Sequence, residues 1–177
     1  MEEFMHKNLF KLCLSGLFIS LIVVLSAYCQ VPIGSSIRLD IGYAVVVIAA
    51  MYFGPLYGGG IAFLARVLND FIFSGSVSFW WAVGSAFFGF AIGLVYILFK
   101  RIKNEKLRAV AVAFAIAVIS FISFAGIVPV VALSVGLNYS FMLSIGVLAS
   151  VADALVGIVI GYPAYEVLKR RVFNKYK

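Results

Sequence analysis

Six long apolar segments dominate this chain of 177 residues and limit what it can fold into. A helix needs about 20 consecutive apolar residues to cross the hydrocarbon core of a bilayer. In windows of about 19 residues, ended at charged or turn-forming clusters, the segments cover residues 10–28, 41–53, 56–73, 78–99, 107–128 and 141–168. The sequence therefore predicts an all-α membrane protein with six transmembrane helices in one bundle, and residues 1–177 form a single domain.

The composition excludes a water-soluble globule. Apolar residues make up 64% of the chain and charged residues only 12%, with a mean hydropathy of +1.13. Soluble domains hold about 45–50% apolar and about 25% charged residues. The net charge of +7 would suit a nucleic acid only if the cations shared one exposed face. They lie instead in short runs between apolar segments, so we expect a lipid bilayer and no nucleic acid as partner.

The second segment is the shortest of the six. Gly54-Pro55 interrupts it, and a proline at such a place normally ends a helix. We expect a short or tilted span that turns at Gly54-Pro55 into the third.

The distribution of cations predicts the orientation. With six spans, both termini and the loops after spans two and four lie on one side of the membrane. Twelve of the 14 Lys and Arg residues fall on that side, and by the positive-inside rule it is cytoplasmic. They are Lys7, Lys11, Lys100, Arg101, Lys103, Lys106, Arg108, Lys169, Arg170, Arg171, Lys175 and Lys177. We expect a multi-pass protein of a prokaryotic plasma membrane, with Arg38 and Arg66 as the two exceptions to the pattern.

The residue types that enzymes need are missing. The only histidine, His6, precedes the first span, so a Ser-His pair or a His-ligated metal within the membrane is not expected. Neither Cys13 nor Cys29 has a partner at metal-ligand spacing, and no GxxxxGK[ST] phosphate loop occurs. We expect neither catalysis nor a cofactor nor a metal site in this chain.

Ionisable residues at membrane depth are the first candidates for a binding site, because each costs about 2.5–3.5 kcal/mol on insertion scales. Arg66 and Asp70 are four residues apart, so they can pair along one face of span three. Such a pair is either structural or in contact with a ligand, and Asn69 lies beside it. Asp153, in the outer half of span six, has no cation nearby in sequence, which favours a functional role.

Further polar and aromatic residues lie at the same predicted outer ends. A cation or a tryptophan at the membrane interface is also an ordinary feature of membrane proteins. Arg38, Trp80 and Trp81 are therefore either pocket residues or ordinary interfacial residues. Together these residues predict one pocket that faces the outside. Its predicted members are Arg38, Asp40, Asn69, Asp70, Trp80, Trp81, Asn138, Tyr139 and Asp153.

Small residues spaced by four recur on three spans, a spacing that lets helices approach closely in lipid. These pairs are Gly16 and Ser20, Gly89 and Gly93, and Gly157 and Gly161.

The stretch that begins at Arg38 and ends at Gly60 carries a family resemblance. It reads RLDIGYAVVVIAAMYFGPLYGGG and is similar to the xLGxxxxxxxxxxFGPxxG region of the substrate-binding S components of energy-coupling factor vitamin importers. Phe53-Gly54-Pro55 is its most specific element, and Asp70 matches an acidic residue that those proteins carry late in span three. The resemblance covers nearly the whole chain.

The resemblance implies a division of labour. An S component binds a vitamin from outside and is thought to topple in the membrane, while a transmembrane coupling (T) component and two cytoplasmic ATPases supply the energy. In that family an AxxxA motif on the first helix docks onto the T component. Gly16 and Ser20 occupy that spacing here, although neither is alanine.

The substrate stays open at this stage. The outer loops, Gln30 to Arg38 and Ser74 to Val77, are short and offer little lid, so our first expectation is a bulky vitamin that protrudes, cobalamin. Riboflavin or a thiamine-precursor pyrimidine, stacked on Trp and Tyr side chains, comes next. Two other classes remain: an ion-coupled secondary transporter that uses Arg66, Asp70 and Asp153, and a membrane scaffold assembled through the glycine faces.

Overall fold

A computed structural model describes residues 2–33 and 37–171, with side chains described for residues 9–29 and 39–171. It contains six helices and one short hairpin. In chain order these are α1 (Glu2–Tyr28), β1 (Gln30–Ile33), β2 (Ile37–Asp40), α2 (Gly42–Phe53), α3 (Pro55–Ser74), α4 (Phe79–Phe99), α5 (Glu105–Ser134) and α6 (Tyr139–Arg171).

The nearly all-helical fold agrees with the sequence. Five helices are long and apolar enough to cross a membrane, and only α2, with 12 residues, is shorter. Large apolar side chains cover the outside of the bundle; Phe114, for example, is 71% exposed. Such an exterior is unfavourable in water and suits hydrocarbon.

Helix α2 is the centre of the bundle. Every residue from Gly42 to Met51 is buried, and α2 packs against α1, α3, α4 and α6. At 1.5 Å per residue it is about 18 Å long, which is shorter than the hydrocarbon core of a bilayer. Other helices surround it, so it does not have to cross the lipid by itself. It ends at Gly54, whose φ of +89° favours glycine. Pro55 lies in the first turn of α3, where a backbone N–H has no partner within the helix, so the missing N–H of proline costs no hydrogen bond.

Two of the predicted small-residue pairs bring helices together. A Cβ added to Gly93 would lie 2.7 Å from the backbone of Gly54 and Pro55, and one added to Gly89 would overlap the carbonyl oxygen of Gly58. Gly157 and Gly161 of α6 likewise face Val47 of α2, at 3.2 and 3.0 Å from an added Cβ. Because these glycines have no side chain, α4 lies directly on α3 and α6 directly on α2.

Two expectations about chain path need correction. The stretch expected to be a short open loop forms an antiparallel hairpin, with Gln30 opposite Asp40 and Ile33 opposite Ile37, and β2 packs on α6. The fifth helix ends at Ser134, not near Val128. A π-helical turn, Phe121–Ile127, precedes Pro129, which therefore sits in the first turn of a restarted α-helix, where proline is tolerated.

Candidate functional site

A cavity of about 510 Å³ opens at the end of the bundle that carries the hairpin, here called the hairpin end. All the helices except α5 contribute to its wall, together with β2. The wall consists of Ser26, Ala27, Asp40, Tyr43, Arg66, Asn69, Asp70, Phe73, Ser74, Trp81, Ile145, Ala149 and Asp153. The volume falls within the range of about 300–1,000 Å³ that small-molecule sites occupy.

Asp70 is held by partners on two sides. Its Oδ1 lies 3.1 Å from Nε of Arg66, one helical turn earlier, as the spacing predicted. Its Oδ2 accepts a hydrogen bond from the backbone N–H of Ser78 at 3.0 Å. Asp70 therefore fixes the start of α4 relative to α3 and neutralises Arg66, while both residues also line the cavity.

Asp40 joins the hairpin to α1 and α2. Its Oδ1 accepts hydrogen bonds from the hydroxyl of Ser26 at 2.7 Å and from the backbone N–H of Gly42 at 2.8 Å. Burial raises the pKa of this carboxyl group above its ordinary value, although the two hydrogen bonds and the charge of Arg66 act in the opposite direction. Both hydrogen bonds use Oδ1, and no other described residue donates to Oδ2.

Aromatic side chains form the deeper part of the wall. The hydroxyl of Tyr43 shares a hydrogen bond of 2.7 Å with Ser85, and its ring meets Phe88 and Phe124 edge to face. The guanidinium carbon of Arg66 lies 5.8 Å from the centre of the Trp81 ring, a cation–π contact. These contacts hold the rings in place, so they form a fixed aromatic surface beside the carboxyl groups.

Asp153 differs from the other two carboxyl groups of the wall. It projects from α6 into the cavity and is only 5% exposed. Among the described residues it makes neither a hydrogen bond nor an ion pair, in contrast to Asp40 and Asp70. The cavity therefore contains a buried carboxyl group whose polar partners are not supplied by the wall.

The structure gathers five of the nine predicted pocket residues around this cavity. They are Asp40, Asn69, Asp70, Trp81 and Asp153. Asn69 also donates to the carbonyl oxygen of Val23 at 3.4 Å, which ties α3 to α1.

The other four predicted pocket residues have different places. Asn138 caps α6 by accepting from the backbone N–H of Phe141, and Tyr139 is exposed beside it. Trp80 packs partly buried against the core and is absent from the cavity wall. The side chain of Arg38 lies outside the described residues.

Several wall residues were not selected from the sequence. Ser26 and Tyr43 lie within or beside long apolar runs and carry no charge, so nothing in the sequence distinguishes them from lipid-facing or core residues. Arg66 was expected to pair with Asp70, either structurally or in contact with a ligand, but it was not counted among the nine pocket residues. Among the described residues, no group of three or more His, Cys, Asp or Glu side chains is placed to hold a metal ion.

The Gly16 and Ser20 face of α1 points away from the bundle. Both residues are exposed, and a Cβ added to Gly16 would meet nothing within 4 Å. The opposite face, with Ser15, Ile22 and Ser26, is buried. The small-residue spacing on α1 is therefore not used for packing within the described part of the chain.

Comparison with a solved structure supports the fold. The structure described as "Structure and mechanism of the S component of a bacterial ECF transporter" superposes with a TM-score of 0.62 over 96% of this chain and 99% of that one, at 21% sequence identity. At this identity the similarity shows the fold alone.

Sequence relatives match only part of the chain. UPF0397 proteins of the Aster yellows witches'-broom phytoplasma (strain AYWB) and of Exiguobacterium sp. are 32% and 30% identical over 81 and 93 residues. These matches cover 46% and 52% of this chain and 44% and 49% of the relatives, so this chain matches less than half of each relative's length.

The family model described as "ECF-type riboflavin transporter, S component" matches residues 7–170, which is most of the chain. S components are membrane-embedded transport subunits and not enzymes, in agreement with the apolar helices and with the functional class expected from the sequence. The chain belongs to the family of ECF-type riboflavin transporter S components.

Proposed function

We propose that this chain is the substrate-binding subunit of an energy-coupling factor importer and that it binds a vitamin in the cavity at the hairpin end. The observation that carries the proposal is a cavity of about 510 Å³ that contains a buried carboxyl group without a polar partner among the described residues, in a chain of the S component family. An ionisable group at such depth is costly unless it has a function.

The direction of transport follows from charge. Cations concentrate at the end opposite the cavity, where Lys100, Arg101 and Lys103 lie between α4 and α5 and Lys106 lies in the first turn of α5. If this end is cytoplasmic, the cavity opens to the outside and receives the solute there. The chain then carries the solute inward by toppling, with energy from a T component and two ATPases.

The exposed Gly16 and Ser20 face of α1 is the docking surface in this proposal. It leaves room for a second helix to approach closely, as small residues do in membranes. Since the bundle does not use this face, substitutions on it can impair assembly with the T component without disturbing the cavity.

The cavity favours a ligand smaller than our first expectation. Cobalamin was expected because the outer connection between α1 and α2 was taken as a short open loop, but that connection contains a hairpin packed on α6. A corrinoid is also too large to be enclosed in about 510 Å³. A flavin or a vitamin that contains an aminopyrimidine ring fits this volume and the aromatic wall better.

The experiment that tests this function is a binding titration of the purified chain in detergent against a panel of vitamins. We expect at least one of them to bind with micromolar or tighter affinity. Ala149→Phe, which fills the cavity, should abolish that binding, whereas Val151→Phe, on the exposed side of the same helix, should leave it unchanged. Equal effects of both substitutions, or no binding by any vitamin, would contradict the proposal.

A further inference from the structure

The hydrogen-bond donors and acceptors of the cavity wall differ in how many already have a partner within the protein. Three of its polar side chains are engaged within the protein: the hydroxyl of Ser26 donates to Asp40, and the amide of Asn69 donates to the backbone of α1. The hydroxyl of Tyr43 is bound to Ser85. Acceptors remain, because within the described part of the chain neither Asp153 nor Oδ2 of Asp40 accepts a hydrogen bond.

The charges of the wall are unequal as well. Three carboxyl groups and a single guanidinium line the described part of the cavity, and Asp70 already pairs with Arg66 at 3.1 Å. Among the described wall residues no second cation faces Asp40 and Asp153, and these two carboxyl groups leave the remaining surface with an excess of acceptor atoms. Since a buried carboxylate is strongly unfavourable without a partner, a bound solute is stabilised when it supplies hydrogen-bond donors.

The aromatic part of the wall indicates the shape of the donor group. Tyr43, Phe73 and Trp81 line the same cavity as the free acceptors. Flat rings pack well against aromatic side chains, and a positive charge on such a ring gains further attraction from them. An anionic solute would instead bring its acceptor oxygens against the acceptor atoms of Asp40 and Asp153.

We propose that this cavity selects a solute with an amino-substituted or protonated nitrogen heterocycle, whose N–H groups donate to Asp153 and to Oδ2 of Asp40. This inference rests on the proposed function and chooses between the two ligand classes left open there. It assigns selectivity to Asp153, because Asp70 already pairs with Arg66 and accepts a hydrogen bond from Ser78.

The test is calorimetric titration of the full chain in detergent with four probes. Thiamine and 4-amino-5-hydroxymethyl-2-methylpyrimidine carry the amino heterocycle, riboflavin is neutral without an amino group on its ring, and pantothenate is an anion. We expect at least one of the first two to bind at least tenfold more tightly than riboflavin and pantothenate.

Two substitutions locate the effect. Asp153→Asn keeps the size of the side chain but replaces one acceptor oxygen by a donor amide, so it should weaken binding of the amino heterocycle at least tenfold. Asp40→Asn should weaken it too. Ser144→Ala, an exposed position on α6, is the matched control and should change nothing. Thermal unfolding of each variant verifies that it is folded, and Asp153→Asn should be at least as stable as the wild type because an amide is less costly to bury than an ionisable carboxyl group.

The outcomes separate this inference from the proposed function. Tighter binding of riboflavin or pantothenate than of either amino heterocycle would refute the inference and leave the proposed function intact. The same holds if folded Asp153→Asn binds the amino heterocycle within threefold of the wild type. If none of the four probes binds but another vitamin of the panel does, only the inference fails. If no vitamin binds at all, both proposals fail.

Discussion

Replacement of Gly93 by alanine should destabilise the bundle through one added methyl group. Its Cβ would lie 2.7 Å from the carbonyl carbon of Gly54 and from the nitrogen of Pro55, whereas ordinary contacts are at 3.4–4 Å. These are backbone atoms that cannot rotate away, so α3 and α4 must separate by roughly 0.7 Å. Overpacking of this kind costs about 1–3 kcal/mol.

Gly60→Ala is the matched control, because a Cβ at Gly60 meets nothing within 4 Å. Alanine favours a helix over glycine by about 1 kcal/mol in both variants, so the difference between them isolates the overpacking cost. At about 2–4 °C per kcal/mol for a chain of this length, Gly93→Ala should unfold roughly 2–12 °C below Gly60→Ala.

The assay for this pair is thermal unfolding in detergent, monitored by the change in tryptophan fluorescence. If Gly93→Ala unfolds at the same temperature as Gly60→Ala, or at a higher one, the close contact between α3 and α4 is not as described. The role of the small residues in packing would then be wrong.

Three further perturbations test other parts of the structure. Gly16→Leu should preserve vitamin binding in detergent but abolish transport with the coupling partners, and an equal loss of binding would refute the separation of the two surfaces. Asn104→Ala removes the acceptor for the N–H groups of Lys106 and Leu107 at the start of α5 and should lower the free energy of unfolding by about 1 kcal/mol. Because the pKa of Asp40 is raised in the fold, the folded state binds the proton more tightly than the unfolded one. The wild type should therefore gain stability relative to Asp40→Asn as the pH falls from 7 through the folded pKa, with no further gain below about 3.8; a pH-independent difference in unfolding temperature would contradict this sign.

The sequence predicted the helices best where breakers flank them. Spans three and four, expected at residues 56–73 and 78–99, lie within one residue of Pro55–Ser74 and Phe79–Phe99, since Gly54-Pro55 and Gly75 mark their limits. The fifth span was predicted too short because Pro129 resembles a helix end, and only the preceding π-helical turn lets the chain continue. The hairpin was missed because its two strands have only four residues each and one contains a proline.

The sequence predicted site residues only where an ionisable residue interrupts an apolar segment. Asp70 and Asp153 interrupt apolar runs, and both line the cavity. Tyr43 and Ser26 belong to the same wall, but a single tyrosine or serine in an apolar segment is ordinary. Asn138 was a reasonable candidate from its polarity, yet asparagine before a helix is also a common N-cap, and the structure uses it as one.

The central proposal is that this chain binds its solute but depends on partners for energy. The most direct measurement is uptake of the bound vitamin into proteoliposomes that contain the chain alone or the chain with a T component and both ATPases. We predict ATP-dependent uptake only in the presence of the partners. Uptake by the chain alone, driven by a sodium or proton gradient, would contradict the account and favour a secondary transporter.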